Sequence, residues 1–344
     1  MGKTKYIGKQ SVQFENPPYI IGASSIAGKK EGEGPLGKYF DLVDEDPMFG
    51  MNTWEEAESK MQKIAAEMAI KKAKLKNDDI RYLVGGDLLG QLIATSFGIV
   101  SLEIPLFGIY GACSTMGEAI SIGSMLIDGG YAPNILSLTS SHFAGAEKQF
   151  RFPLAYGNQR PLAASWTVTG SGAVVLSNEK KETAIGVRVH GVTTGKVIDY
   201  GLKDSMNMGA CMAPAAADVI YQNLVDFNRK PEEYDSIITG DLGFVGKDIL
   251  LDILKEKGFD ISNNHMDCGI EIFDPNKQDT HAGGSGCGCS AITLCAYILE
   301  KMRRREWNRV LFVPTGALLS TVSFNEGQSV PGIAHGVVLE TESN

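Results

Sequence analysis

A chain of 344 residues with a formal net charge of −9 and a pI near 5.2 lacks the clustered Lys and Arg that grip a nucleic-acid backbone, which excludes that partner class. No apolar run reaches the ~20 residues of a spanning helix, and the start Met1-Gly-Lys-Thr-Lys carries no apolar signal-peptide core, so a soluble intracellular protein is expected. The 6 cysteines (Cys113, Cys211, Cys268, Cys287, Cys289, Cys295) sit mostly in apolar or Gly-rich segments and read as buried, reduced thiols without disulfides.

In chain order, Asn52-Thr53-Trp54-Glu55-Glu56 offers a capping box, and Trp54, Ala57, Met61, Ile64, Ala65, Met68 and Leu75 form one helical stripe. A polar turn, Lys76 to Asp79, leads to a strand over Ile80–Val84 and then to Gly86-Asp87-Leu88. The run from Ile104 to Ile109 predicts a buried strand that passes through a tight turn at Gly111-Ala-Cys113 into a helix. A helix start stabilises a thiolate, so Cys113 has the placement of a nucleophile. A strand at Ile135-Leu136 precedes His142, and the stretch from His142 to Arg160 reads as a loop carrying Phe150, Arg151, Phe152, Pro153, Tyr156, Asn158, Gln159 and Arg160. Gly172–Leu176 then reads as a strand.

The same order recurs. A helical run Ala215–Phe227 leads through Arg229-Lys-Pro-Glu-Glu233 to a strand at Tyr234–Ile238 and to Gly240-Asp241-Leu242. Gly288-Cys289-Ser290-Ala291 echoes Gly111-Ala-Cys113-Ser114, and the following strands, at Ile135 and Val310, lie at separations that agree within a residue. Gly336–Leu339 closes this part as Gly172–Leu176 closes the first. A repeat too long for a solenoid implies a duplicated α/β domain, with halves 1–178 and 179–344 around a pseudo-dyad and a site at their junction. The basic run Lys301–Arg305 reads as a solvated helix end, with a contact surface for acidic headgroups or a partner as the alternative. His265 and Cys268 with Cys287 and Cys289 make a poor zinc pattern, because Cys-x-Cys is unusual spacing for that metal.

A cysteine at a strand-to-helix turn within a duplicated layout resembles the thiolase superfamily, especially its ketoacyl-synthase III branch. More closely, the chain resembles the stage V sporulation protein AD family. The match is carried by Glu33-Gly-Pro-Leu-Gly37, Gly86-Asp87-Leu-Leu, Phe107 to Thr115, Leu126-Ile-Asp-Gly-Gly130, Ser140-Ser-His142, Gln149-Phe-Arg151, Val168 to Leu176, Met212 to Asp218, Ala282 to Gly286 and Ile333 to Val338. This resemblance implies a thiolase-like α/β/α/β/α fold that binds dipicolinic acid (pyridine-2,6-dicarboxylate), with calcium accompanying the ligand and no other cofactor. It further implies passage of that compound into the developing spore together with small membrane subunits, a homodimer, and a peripheral location on the inner spore membrane.

Condensing enzymes of this fold set a His and an Asn, or two His, beside the cysteine. Here the corresponding stretches read Ile238-Thr-Gly-Asp241 and Gly283-Gly-Ser-Gly286, without an imidazole. A carboxylate at Asp241 would raise the Cys113 pKa. The expectation is therefore a non-catalytic binder in which Cys113 is a vestigial nucleophile. The alternative is an acyl-transferring condensing enzyme using Cys113 with a displaced His142 or His281. A planar aromatic dicarboxylate asks for guanidinium or ammonium groups, amide donors and a flat wall. The ligand-binding candidates are Asp87, Cys113, Ser114, His142, Arg151, Gln159, Arg160, Asp241 and Ser285, with at least one of the two aspartates expected in a salt bridge.

Overall fold

The computed structural model describes residues 5–151 and 159–342. The first half contains β1 (Tyr19–Gly28), α1 (Trp54–Lys72), β2 (Tyr82–Gly86), α2 (Ile93–Ile99), β3 (Leu106–Gly108), α3 (Thr115–Asp128), β4 (Asn134–Ser141), α4 (Phe143–Phe150) and β5 (Gly170–Ser177). The second contains β6 (Val187–Thr194), α5 (Met208–Asp226), β7 (Ser236–Thr239), α6 (Gly243–Glu256), β8 (His265–Asp267), α7 (Cys287–Thr293), β9 (Arg309–Val313) and β10 (Gly332–Thr341).

The strand order β1-β5-β4-β2-β3 is repeated as β6-β10-β9-β7-β8. In each half the first two pairings are antiparallel and the last two parallel. The halves join where Tyr19 of β1 pairs with Arg188 of β6. Helix α1 packs on β1, β5 and β4, and α5 on β10, so these helices cover the two outer faces. Between the sheets, α3 touches both β4 and β10 while α7 touches β5 and β4. The result is the α/β/α/β/α layering expected, with both cysteine-bearing helix starts buried at its centre.

Local chemistry explains the elements. Thr53 Oγ1 accepts the Glu56 amide at 3.2 Å and the Glu56 carboxylate accepts the Thr53 amide at 3.2 Å, which completes the capping box of α1. Ala57, Met61 and Ala65 of its stripe are fully buried, while Leu75 lies beyond the helix end. Helix α5 begins at Met208, ahead of the expected Ala215, and contains Pro214. Asn207 supplies its cap by accepting the Ala210 amide at 3.3 Å, so the proline lies within the helix and does not start it. Strand β3 differs from expectation in burial: all three residues are exposed, because among the described residues β2 is its one neighbour and it forms the sheet edge. Of the stretch after His142, read as a loop, Phe143–Phe150 form the helix α4.

Candidate functional site

Between β3 and α3 the chain makes a tight turn over Ala112–Ser114, with Ala112 at φ 48°, a left-handed conformation that costs a non-glycine residue about 1 kcal/mol. Hydroxyls hold the strain in place: Ser114 Oγ donates to the Gly111 carbonyl at 2.6 Å and Thr115 Oγ1 to the Ala112 carbonyl at 2.6 Å. The Cys287 thiol donates to that same Ala112 carbonyl at 2.9 Å. Cys113 is thereby fixed in a buried position facing the second half.

Opposite it stands Ser285, at 4.0 Å from Sγ to Oγ. Ser285 belongs to the short strand Gly284–Ser285, which pairs in parallel with Trp166–Thr167 of the first half. Behind it lies Asp241, just past β7. Its Oδ2 accepts from Ser285 Oγ at 2.9 Å and from the Gly286 amide at 3.0 Å, and its Oδ1 from Thr315 Oγ1 at 2.6 Å. Burial pushes the Asp241 carboxyl up to about 6 in spite of these donors. Burial, and then this carboxylate, push the Cys113 thiol well above its ordinary value. The helix start therefore does not produce a thiolate here, contrary to the expectation from position alone; desolvation and the neighbouring negative charge outweigh the dipole.

Asp87 and Ser114 do not face the cavity beside Cys113. Asp87 Oδ1 accepts the Leu89 amide at 2.8 Å, and Oδ2 accepts the Thr95 amide at 2.7 Å and Thr95 Oγ1 at 2.6 Å. Among the described residues neither Asp87 nor Asp241 forms the salt bridge expected of at least one of them; amides and hydroxyls satisfy both carboxylates instead. The cavity beside Cys113 is small, about 30 Å³, and is lined by Cys113, Ser285, Tyr110, Phe150, Arg151 and Glu147 among others. That volume suits about one water. Arg151 stands at its wall in an ion pair with Glu147 at 2.8 Å.

The other face of α4 borders a second pocket of about 410 Å³, walled by Trp54, His142, Phe143, Trp166, Lys30 and the buried Glu31. His142 lies here and not beside Cys113. Its Nε2 donates to the Pro47 carbonyl at 2.8 Å and its Nδ1 accepts the Ala144 amide at 3.2 Å, which fixes a neutral ring whose pKa burial lowers. Phe143 stacks on Trp166 with centroids 3.8 Å apart and planes within 7°. The Arg160 guanidinium sits 4.6 Å over Trp166 and donates through Nη2 to the Asp279 carbonyl at 2.8 Å. Nη2 also lies 3.5 Å from Asp279 Oδ2; the side chain is only 2% exposed, yet Nε and Nη1 have no hydrogen-bond partner among the described residues. Such a buried, partly unpaired guanidinium is a ready receptor for a carboxylate.

Gln159 is exposed, and His281 contacts the Pro161 carbonyl and Asp279, away from Cys113. Phe152, Pro153, Tyr156 and Asn158 lie outside the described residues. Sequence reasoning missed Thr315, Trp166 and Cys287 as members of this neighbourhood. Their only signal was adjacency to strand ends and to the Gly283–Gly286 turn. Among the described residues no group of three or more His, Cys, Asp or Glu is arranged to hold a metal ion, and no helix is long and apolar enough to cross a membrane.

Comparison with solved structures identifies the fold. Over 94% of this chain and 99% of the other, it superposes on 3-oxoacyl-[acyl-carrier-protein] synthase III from Aquifex aeolicus with a TM-score of 0.57 at 16% identity. Human mitochondrial 3-ketoacyl-CoA thiolase matches with a TM-score of 0.58 at 12% identity over 95% and 99% of the two chains. At this identity the likeness speaks for a thiolase-like fold alone. In sequence, stage V sporulation protein AD of Bacillus subtilis is 45% identical over 336 residues, 98% of each chain. The profile of that family matches residues 8–340, and the chain belongs to the stage V sporulation protein AD family.

Proposed function

We propose that the protein is a non-catalytic receptor for dipicolinic acid, alone or as its calcium chelate, and the water-soluble subunit of a membrane assembly that moves this compound into the developing spore. One observation carries the non-catalytic part: Cys113 meets Ser285 and the buried Asp241 carboxyl where the superfamily pattern has imidazoles, and burial together with that carboxylate keeps its thiol protonated. The binding part is supported by Arg160, which stands over the Trp166 ring with Nε and Nη1 unpaired among the described residues, and by Arg151 at the wall of the Cys113 cavity. One ligand carboxylate pairs with Arg151 at the Cys113 cavity and, once α4 shifts, the other pairs with Arg160, which stands over Trp166 next to the Thr167 of that cavity's wall; the ring lies toward the floor made by Cys113 and Ser285. Pockets for ring-sized ligands run to roughly 300 Å³ or more, so admission to the Cys113 cavity requires α4 to shift. The exposed edge β3, with Phe107 on it and Tyr110 just beyond, suits pairing with a second copy of the chain.

Calorimetric titration with dipicolinate, with and without calcium, tests the reading. Saturable heat that is lost in Arg160→Ala is expected, and no heat at millimolar ligand sinks it. The condensing-enzyme alternative is tested by intact mass after incubation with acyl-CoA. An unmodified mass is expected; an adduct that disappears in Cys113→Ala would establish acyl transfer.

A further inference from the structure

A cleft of about 450 Å³ with a lining wholly different from that of the Cys113 cavity runs along the seam between the halves. One wall is Ile21–Ala23 of β1. The other is the helical stretch that continues α7, in which Leu294–Ile298 form a π-helical turn before the α-helix resumes over Leu299–Arg303. Such turns are rare and recur at binding sites.

The charges at this cleft oppose those of the molecule. Lys38, Lys72, Arg303 and Arg304 line it against Asp41 and Glu300, in a chain whose net charge is −9. Glu300 alone serves both arginines: Arg303 donates to it from Nε at 2.6 Å and Nη2 at 2.8 Å, and Arg304 from Nε at 2.6 Å. The remaining donors of Arg304 and the ammonium of Lys38, which sits 5.1 Å over the Tyr39 ring without a carboxylate contact among the described residues, are left for an external anion. Partly exposed aromatic rings adjoin the basic groups, with Tyr39 and Tyr297 edge to face at 5.3 Å and Tyr297 and Trp307 at 6.0 Å. Arg and Lys beside Tyr and Trp is the composition that settles at a membrane–water boundary, where the rings take the headgroup level and the cations take the phosphates.

We propose that this cleft seats the phosphate of an anionic phospholipid headgroup, and that the face bearing Lys38, Arg303 and Arg304 is the one the protein lays on a membrane. The proposal rests on the membrane-associated role proposed for the protein and is independent of what binds near Cys113. A net-negative protein is repelled by an anionic surface everywhere except on such a face, so the cleft also orients the molecule.

Co-sedimentation with phosphatidylglycerol-rich vesicles and with pure phosphatidylcholine vesicles, at low and high salt, tests it. Binding only to the anionic vesicles, weakened by salt, is expected, with Arg303→Gln/Arg304→Gln weakening it about tenfold or more. Lys203→Glu/Lys255→Glu, a charge change elsewhere on the surface, should leave the cleft-specific binding in place. Dipicolinate heat in Arg303→Gln/Arg304→Gln should equal that of the unsubstituted protein, which also reports that the variant is folded and separates this proposal from the ligand reading. The proposal is overturned by absence of vesicle binding, or by vesicle binding that survives Arg303→Gln/Arg304→Gln in a folded protein. It is also overturned if glycerol phosphate or a polyglutamate peptide binds the cleft while vesicles do not.

Discussion

Asp87 and Asp241 occupy Gly-Asp-Leu turns at the same strand end of the two halves, and both are buried, yet they do different things. Asp87 turns inward on its own half, tying the Leu89 amide and the start of α2 through Thr95. Asp241 reaches across to Ser285, Gly286 and Thr315 and sets the electrostatics of Cys113. The difference lies in the donors that each turn leaves within reach. After Asp87, Thr95 offers both an amide and a hydroxyl. After Asp241, the Leu242 and Gly243 amides are taken by Asp267, so Asp241 is left for the junction. A duplicated topology therefore repeats positions without repeating roles.

The largest effect expected from breaking this comparison is that of Asp241→Ala, which strands three donors in the interior. It should cost about 3 kcal/mol in urea unfolding and shift Cys113 alkylation toward lower pH. Asp87→Ala should cost about 2 kcal/mol and leave the Cys113 alkylation profile unchanged, because its donors are remote from that thiol. If both substitutions shift that profile equally, the division of roles is wrong.

A third test uses the acid beneath Asp87. Glu58 is fully buried; its Oε1 accepts from Ser140 Oγ at 2.7 Å and its Oε2 has no partner among the described residues. Burial first, and then Asp87, push its carboxyl up to about 8 from the ordinary 4.5. The folded state thus keeps a proton that the unfolded chain loses near pH 4.5. This group makes stability fall as pH rises from about 4.5 to about 8 and level off above, in the sense opposite to a salt-bridged carboxylate. Glu58→Gln should raise the melting temperature at pH 8 relative to the unsubstituted protein and leave it nearly unchanged at pH 4. The smallest effect on stability belongs to the edges of the two sheets. Exposed Phe107 of β3 contrasts with Asp267 of the matching edge β8, which is buried and hydrogen-bonded. Phe107→Glu should change stability by under about 0.5 kcal/mol and, under the proposed pairing of two copies at β3, shift sedimentation velocity from dimer to monomer; an unchanged sedimentation profile rules out that edge as the interface.

Much of the architecture was legible because it depends on periodic patterns. The stripe of α1, its capping box and the paired Gly-Asp-Leu strand ends are local features, and each carries its own signal. Features that depend on neighbours in space were not. The apolar run at Leu106–Gly108 read as buried, since hydrophobicity does not say whether a strand is central or at an edge. The helix expected from Ala215 starts upstream of Pro214, since that start is visible only with its cap at Asn207. Of the candidate site, Cys113, Ser285 and Asp241 came together as the repeat suggested. His142 and Arg160 instead border or adjoin the aromatic pocket, because α4 inserts between two cavities where a single loop was expected.

By itself, the sequence determined the duplicated thiolase-like order of elements, the family, and the absence of an imidazole in the two turns opposite Cys113. These are carried by residue identity and spacing along the chain. Only the tertiary structure decided that the Cys113 thiol is held neutral, that Asp87 serves its own half, and that Lys38 gathers with Arg303 and Arg304 at the seam. Those outcomes depend on burial and on distances between groups far apart in sequence, and both exist only once the two halves have packed.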